Sequence, residues 1–302
     1  MAETETETET DTKTESASAR ETVSATQTGS DSEAVASHGK ETFCLKAESV
    51  GGAEGGSGEF AALVGRVEGD AGVVGVVLSG SRAREGTATE YSDYDVLLVV
   101  GDEVGERLDG EARRDARLDV STMALGEFRT HALAGSGAEW NRYAFRGAKV
   151  LKDTADGLIA GLVAEKGRLA EAEAGQLAPG VLDAFLNSVY RCLKNDRDGN
   201  EVGARMDGAE AIPHYLTYVF ALHGRVRPYN KYLAWELERY PLSRPERGRD
   251  ELLSRLVRVY FDDVAQVVRE LFRELEPHAR AAGHGGVLDA WGNDLVFMRG
   301  GA

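Results

Sequence analysis

The 302-residue chain carries 35 basic and 51 acidic residues, and 42% of its residues are hydrophobic, enough to bury the cores of two modest domains. The formal net charge of -16 disfavours general nucleic-acid binding and would suit a cationic small substrate better. Its two cysteines, Cys44 and Cys192, belong to no CxxC or Cys/His group. Because no long apolar run and no signal-peptide pattern is present, we expect a reduced cytoplasmic protein without a membrane segment.

The N-terminal segment differs in composition from the rest of the chain. Residues 1–40 alternate Glu with Thr and then continue in Ser, Ala and Thr, with almost no large apolar side chain. Such a segment cannot bury enough apolar surface to fold, so we predict a disordered acidic tail. The glycine cluster at 51–56 predicts a loop, and the fold is expected to begin near Phe60.

A helix and three strands are predicted next. Apolar residues at 60–67 follow helical spacing, and residues 72–78 form a β-branched run of strand length. A second strand is predicted at 95–100, and the alternation at 117–123 indicates a third. In that third strand Asp119 occupies the face opposite its apolar neighbours.

The second half of the chain is predicted to be mainly helical. Residues 127–133 favour a helix and 147–153 a short strand that leaves the sheet. Apolar residues at three and four spacing then predict helices at 160–174, 181–194, 209–223, 231–239 and 251–275. The fold class is therefore α+β, with a mixed-sheet domain over 41–155 and an all-helical domain over 156–302.

Polar residues that could bind phosphate or metal ions follow the first predicted strand and precede or begin the second. The small-residue turn at Gly80 and Ser81 can hold phosphate through its backbone amides and hydroxyl. Asp93 and Asp95 lie on the same side of the next strand, and Asp119 comes within reach if the two strands are neighbours. Three carboxylates at one sheet edge repel each other unless cations neutralise them, so this pattern predicts a site for divalent metal ions.

This pattern resembles the signature of the DNA polymerase beta-like nucleotidyltransferase superfamily. Gly80 and Ser81 are followed, after eleven residues, by Asp93-Tyr94-Asp95 and an apolar strand, in the form GSRAREGTATEYSDYDVLLVV. It is most similar to the small-molecule branch, which includes kanamycin nucleotidyltransferase and streptomycin adenylyltransferase. The resemblance implies that Asp93, Asp95 and Asp119 bind Mg²⁺, with two ions expected, and that Gly80 and Ser81 hold the phosphates of ATP or another nucleoside triphosphate.

The resemblance covers residues 60–153. In the helical half it extends only to the helical character, where such enzymes usually form the acceptor pocket, so the small-molecule acceptor is not identified. The segment 225–232 mixes aromatic and basic residues and is a candidate wall for that pocket. For the general base we favour Asp119, with Glu127, Glu139 and Asp183 as further candidates.

Four basic residues are candidate phosphate ligands. Arg82 and Arg84 follow the Gly80 turn, where they could balance the charge of the departing pyrophosphate. Arg191 and Lys194 lie three positions apart on one predicted helix face and would contact the triphosphate if that face met the sheet edge. Each of these residues has an alternative interpretation as an ordinary solvent-facing charge.

The leading functional hypothesis is a Mg²⁺-dependent enzyme that transfers a nucleoside monophosphate, AMP from ATP above all, to a hydroxyl of a small molecule. The acidic charge makes an aminoglycoside-like acceptor one candidate. A second hypothesis is an enzyme of antitoxin type that attaches AMP to a partner protein. A third is a regulatory module that binds nucleotide without turnover.

Overall fold

The computed structural model describes residues 54–103, 110–243 and 248–301. The predicted tail at 1–40 and the start of the predicted loop at 51–53 lie outside the described residues. Helix α1 (Glu54–Glu68) confirms the predicted helix, but it begins inside the glycine cluster, so the loop prediction is wrong from Glu54 onward. The early start has a packing reason: Gly56 is buried next to Tyr94 and Arg117, and tertiary contacts override weak helix propensity.

The sheet is mixed and five-stranded, with strand order β3-β4-β2-β1-β5. Strand β2 is antiparallel to β1 and parallel to β4, and β3 and β5 are antiparallel edge strands. The strands are β1 (Val73–Ser79), β2 (Tyr94–Val100), β3 (Arg113–Arg114), β4 (Leu118–Ala124) and β5 (Lys149–Asp153). The three predicted strands are confirmed. Strand β3, at two residues, was missed, and β5 pairs with β1, so the expectation that this strand leaves the sheet is wrong.

Each face of the sheet is covered by helices. On one face Leu63 and Val67 of α1 pack against alternate residues of the central strands. The opposite face is covered by three short helices, α3 (Leu125–Thr130), α4 (Arg142–Phe145) and α5 (Leu158–Lys166), through a cluster that includes Phe128, Phe145 and Ile159. Because side chains alternate along a strand, Leu118 and Val120 fall in the first cluster while Asp119 lies on the other side.

The rest of the described chain is helical and has its own hydrophobic core. Its helices are α6 (Glu171–Arg197), α7 (Glu201–Leu222), α8 (Leu233–Arg239), α9 (Arg249–Phe261), α10 (Val264–Ala281), α11 (Gly285–Asp289) and α12 (Asn293–Met298). A mixed sheet followed by a largely helical region makes the protein α+β, as predicted. The hydrophobic clusters change over between Val163, which packs with the sheet, and Leu169, which packs with the helices. The predicted domain division at residues 155 and 156 stays a prediction.

The helix boundaries differ from the predicted ones in three places. Residues 160–174 form parts of two helices, because the chain leaves helical structure after Lys166. Helix α6 runs through Pro179, since Ala178 and Leu182 on either side of the proline are buried and packing compensates for the lost backbone hydrogen bond. The predicted helix at 251–275 is divided at Asp263, whose side chain accepts from Gln266 N at 3.0 Å and caps α10.

Among the described residues, no helix combines the length and the apolar character that a membrane crossing requires.

Candidate active site

The fold brings the three predicted carboxylates to one edge of the sheet. Asp93 immediately precedes β2, Asp95 is its second residue, and Asp119 is the second residue of β4. Asp95 and Asp119 face each other in the parallel pairing of these strands, and Asp95 is also opposite Ser79 of β1. The condition on which the sequence-based site depended, that the two strands are neighbours, is therefore met.

The charges at this edge are not balanced. Burial raises the pKa of the Asp95 carboxyl, and the negative charges of Asp93 and Asp119 raise it further. The positive charges of Lys231 and Arg84 lower it, but they do not cancel the increase. The nearby cations therefore do not offset the combined effect of burial and of the two neighbouring carboxylates on Asp95, and an added cation would be favourable at this edge.

The turn beside these acids depends on a glycine. The predicted turn is the start of the short helix α2 (Gly80–Ala83), and Gly80 has a φ of 65°, in the region that disfavours other residues. A Cβ atom at this position would lie 1.7 Å from Asp95 Oδ2. The next residue, Ser81, is buried, and its Oγ has no hydrogen-bond partner in the structure. The backbone therefore passes against the Asp95 carboxylate and leaves one enclosed hydroxyl without a partner.

Arg84 fixes the position of this turn. Its Nη1 donates to Gly80 O at 2.7 Å, while Nη2 donates to Tyr143 O at 2.8 Å and to Arg146 O at 2.7 Å. The guanidinium also lies 4.9 Å from the ring centroid of Tyr143 and 4.5 Å from that of Tyr232. Arg84 is 4% exposed, and these contacts join the turn to the helical region. Because the guanidinium is engaged and buried, the structure does not favour Arg84 as a phosphate ligand.

Arg82, the other candidate in the turn, is half-buried and is also engaged. Its Nε and Nη2 donate to Ser92 O at 3.1 and 2.8 Å, and its guanidinium lies 4.7 Å from the Tyr94 ring centroid. These contacts hold the loop that delivers Asp93. Its contact with phosphate stays a prediction.

Arg191 and Lys194 are not brought to the carboxylates. Arg191 Nη2 pairs with Asp207 Oδ1 of α7 at 2.7 Å, and Lys194 Nζ lies 5.3 Å from the ring centroid of Tyr190. The end of α6 nearest the sheet is marked by the ion pair of Glu173 with Arg142, and Arg191 follows Glu173 by eighteen positions. At about 1.5 Å per residue this is about 27 Å along the helix axis. The placement does not favour the predicted triphosphate contact.

The four candidates for a general base occupy different environments. Glu127 is exposed on α3, and Asp183 accepts from Trp291 Nε1 at 2.9 Å in the helical region. Hydrogen bonds from its own and neighbouring backbone amides lower the pKa of Glu139, which weakens it as a base. Asp119 is the candidate paired in register with Asp95, although Arg114 Nε also lies 3.4 Å from its Oδ2.

The donor set of the edge fits magnesium. Among the described residues, no three His, Cys, Asp or Glu side chains are already gathered as a metal cage. Mg²⁺ does not require such a cage, because it is commonly held by one or two carboxylates together with substrate phosphates and water. Asp95 and Asp119 supply adjacent carboxylates, and the pKa of Asp95 is raised by burial first and then by the negative charges of Asp93 and Asp119, which a cation would neutralise.

Lys231 was not singled out from the sequence as a site residue. It lies in a short 3-10 turn, Asn230–Tyr232, and its charge lowers the pKa of Asp95. The mixture of basic and aromatic residues at 225–232 was the available signal, and it indicated the segment but not which cation approaches the carboxylates.

A cleft of about 900 Å³ lies in the described part of the chain, and its lining does not include the three carboxylates. Residues of the 134–143 segment, of α6 and of the 225–230 segment line it; that this cleft is the acceptor pocket stays a prediction. Tyr143 and Tyr229 belong to this lining; Tyr143 stacks on Arg84, and burial raises the pKa of Tyr229, with Asp95 among the smaller contributors. Tyr143 and Tyr229 therefore link the cleft wall to Arg84 and to the charge of Asp95, although the carboxylates themselves are not part of the wall.

Behind the cleft lies a closed network around Glu236, which is 1% exposed. Its carboxylate accepts from Arg225 Nη2 at 2.7 Å and from Tyr143 Oη at 3.0 Å, and Arg146 Nε lies 3.7 Å away. This network, which we call the Glu236 network, joins α4 to α8.

Comparison with known proteins gives no family assignment: the chain matches no protein-family model, and no curated protein matches it.

Proposed function

We propose that the protein is a Mg²⁺-dependent nucleotidyltransferase that transfers a nucleoside monophosphate, with ATP as the favoured donor, to a hydroxyl group of a small molecule. The observation that carries this proposal is the register pairing of Asp95 with Asp119 directly beside the Gly80 turn. Paired carboxylates and a turn that accepts phosphate are the two requirements of this chemistry, and here they adjoin.

In this proposal Asp93, Asp95 and Asp119 hold Mg²⁺ through their carboxylate oxygens. Bound Mg²⁺ supplies positive charge that neutralises the phosphates and orients them for displacement. The Gly80 turn brings backbone close to the phosphates, and the unpaired Oγ of Ser81 provides a hydroxyl in the same place. Lys231, whose charge already reaches Asp95, stabilises the departing pyrophosphate.

The reaction exchanges one phosphorus–oxygen bond for another. The acceptor hydroxyl oxygen bonds to the α-phosphorus, the bond from that phosphorus to the bridging oxygen breaks, and pyrophosphate leaves with the electron pair. The hydroxyl proton passes to the Asp119 carboxylate as the new bond forms. The cleft of about 900 Å³, large enough for a small organic molecule, supports a small acceptor over a protein one.

Measurement of pyrophosphate release from each nucleoside triphosphate, with Mg²⁺ and pooled hydroxylated metabolites, tests the proposal. We expect Asp93→Asn and Asp95→Asn to lower the rate roughly 100-fold or more, because each removes a charged ligand from the reacting phosphates. Asp250→Asn, which alters an exposed carboxylate at the start of α9, is the matched control and should retain the wild-type rate. Full activity in both Asp93→Asn and Asp95→Asn would refute the proposed nucleotidyltransferase function.

A further inference from the structure

Most charges that line the cleft already have partners. Arg142 forms a double ion pair with Glu173, and Arg225 pairs with Glu236. Glu139 stands exposed, with its Oε1 accepting from Gly135 N at 2.7 Å. Four of the charged residues that line the cleft therefore have partners, namely Glu139, Arg142, Glu173 and Arg225, and one cation of the lining remains.

That cation is Arg227. It is half-buried, and its described contact is a hydrogen bond from Nη2 to Asn230 Oδ1 at 2.9 Å. Its Nε is enclosed and has no hydrogen-bond partner, and no carboxylate of the described residues forms an ion pair with its guanidinium. Burial lowers the pKa of Arg227, with no acidic neighbour to offset the effect. A desolvated guanidinium without a counter-ion is costly, and such a group on a cleft wall is explained when a ligand supplies the anion.

We infer that the cleft binds a small molecule bearing a carboxylate or phosphate group, and that Arg227 is the residue that holds this anion. A guanidinium suits this role because its planar N–H donors match the two oxygens of a carboxylate or phosphate. That the molecule is the hydroxyl-bearing acceptor rests on the proposed function; that the cleft binds an organic anion does not.

The remainder of the cleft indicates the body of the ligand. Trp140 is 75% exposed and Leu177 is 39% exposed, both on the cleft wall, with Val226 and Pro228 beside Arg227. Large exposed apolar side chains along an open cleft favour a ligand with an aromatic or aliphatic body. The combination describes an organic carboxylate or phosphate with an apolar body and disfavours the aminoglycoside-like polycation suggested by the net charge of the chain.

Isothermal titration calorimetry without nucleotide or Mg²⁺ tests this inference with three probes. 4-Hydroxyphenylacetate carries a carboxylate, phenyl phosphate carries a phosphate, and 4-hydroxyphenylacetamide is a neutral analogue of the first. We expect at least one anion to bind roughly tenfold or more tightly than the amide, since charge-assisted hydrogen bonds are the stronger ones. The preferred anion distinguishes a carboxylate ligand from a phosphate ligand.

Variants assign the preference to Arg227. Arg227→Met should abolish it, and Arg227→Lys, which keeps the charge but not the planar fork, should retain part of it. Arg239→Met, which removes an arginine of α8 outside the cleft lining, is the matched control and should bind as the wild type does. Thermal unfolding of each variant checks that it is folded. If Arg227→Met does not fold, Arg227→Lys provides the test.

The inference is overturned if none of the probes binds, if acid and amide bind equally, or if Arg227→Met keeps the preference. Weakened ATP binding in Arg227→Met with unchanged probe binding would also overturn it, by assigning Arg227 to the nucleotide. The pyrophosphate assay is separate: anion preference without transfer activity would refute the proposed function alone, and transfer activity without anion preference would refute this inference alone.

Discussion

The acidic sheet edge and the Glu236 network use charge in opposite ways. At the sheet edge three carboxylates are crowded together, and the cations near them do not offset the raised pKa of Asp95. In the network one buried carboxylate is met by two arginines and a tyrosine hydroxyl. Unbalanced charge retains the capacity to bind something further, whereas balanced buried charge fixes geometry and has no such capacity.

The two regions are connected through Tyr143. Its hydroxyl donates to Glu236, and its ring stacks on Arg84, which in turn donates to Gly80 O. The balanced network therefore holds the turn that adjoins the unbalanced edge. Changes in the network should lower stability, and changes at the edge should alter ligand binding and its pH dependence.

The largest effect is expected from Glu236→Gln. The substitution leaves Arg225 buried without its carboxylate, and breaking one partner of a buried ion pair costs roughly 3 to 5 kcal/mol. Urea unfolding monitored by circular dichroism measures the change in the free energy of unfolding. Glu238→Gln, on the same helix but in an exposed pair with Arg249, should change it by about 0.5 kcal/mol or less. Equal effects of the two substitutions would remove the distinction between balanced buried charge and ordinary surface charge.

A smaller effect is expected from Gly80→Ala, which should lower the free energy of unfolding by roughly 1 to 3 kcal/mol and reduce transfer activity. The new Cβ would meet Asp95 Oδ2 and displace a carboxylate of the edge. Gly86→Ala is the matched control, because Gly86 has a similar φ of 76° but no atom within 4 Å of the added Cβ. Its cost is the backbone strain alone, about 1 kcal/mol. Similar activity losses in both variants would show that strain, and not the Asp95 contact, is responsible.

The third prediction concerns pH. The pKa of Asp95 is raised in the folded state, so its favourable contribution is present below the ordinary aspartate pKa and is lost as pH rises through the folded value. The melting temperature of Asp95→Asn should therefore rise relative to that of the wild type as pH increases from about 4 to about 7. Thermal unfolding across that range measures the difference.

Asp115→Asn is the comparison with the opposite sign. Hydrogen bonds from the backbone amides of Arg117 and Leu118, and from Arg113, lower the pKa of Asp115 to about 2. Its contribution is present above the ordinary aspartate pKa and is lost as pH falls below that value through the folded pKa of about 2. This variant should be less stable than the wild type at pH 7, and the difference should shrink on acidification. The same sign in both variants would contradict the raised pKa of Asp95.

Local patterns were sufficient to predict the sheet and the position of its acids. Alternating and β-branched runs identify strands independently of distant contacts, and Asp95 and Asp119 lie together because both strands were found. The same reasoning failed where packing dominates, as in the continuation of α6 through Pro179. The division between α9 and α10 carried a usable signal, the Asp262-Asp263 pair, which favours a helix cap over a continuous helix.

The cleft and the Glu236 network could not be predicted in the same way. Tyr143 and Glu236 meet across 93 positions of the chain, and the sequence contains no local signal for such a contact. The same applies to Arg227: that no carboxylate of the described residues pairs with it is a property of its surroundings and not of its neighbours in sequence. Arg191 and Lys194 show the converse: both lie on α6 as their spacing predicts, but Arg191 pairs with Asp207 of α7 and Lys194 lies over Tyr190 of its own helix.

The strand order has a consequence for association between copies of the protein. The two outermost strands of the sheet are short and bear basic residues: β3 consists of two exposed arginines, and β5 carries Lys149 and Lys152. Short edge strands that bear charged side chains offer little backbone for the addition of a further strand. We therefore expect the sheet to resist extension from one molecule to the next.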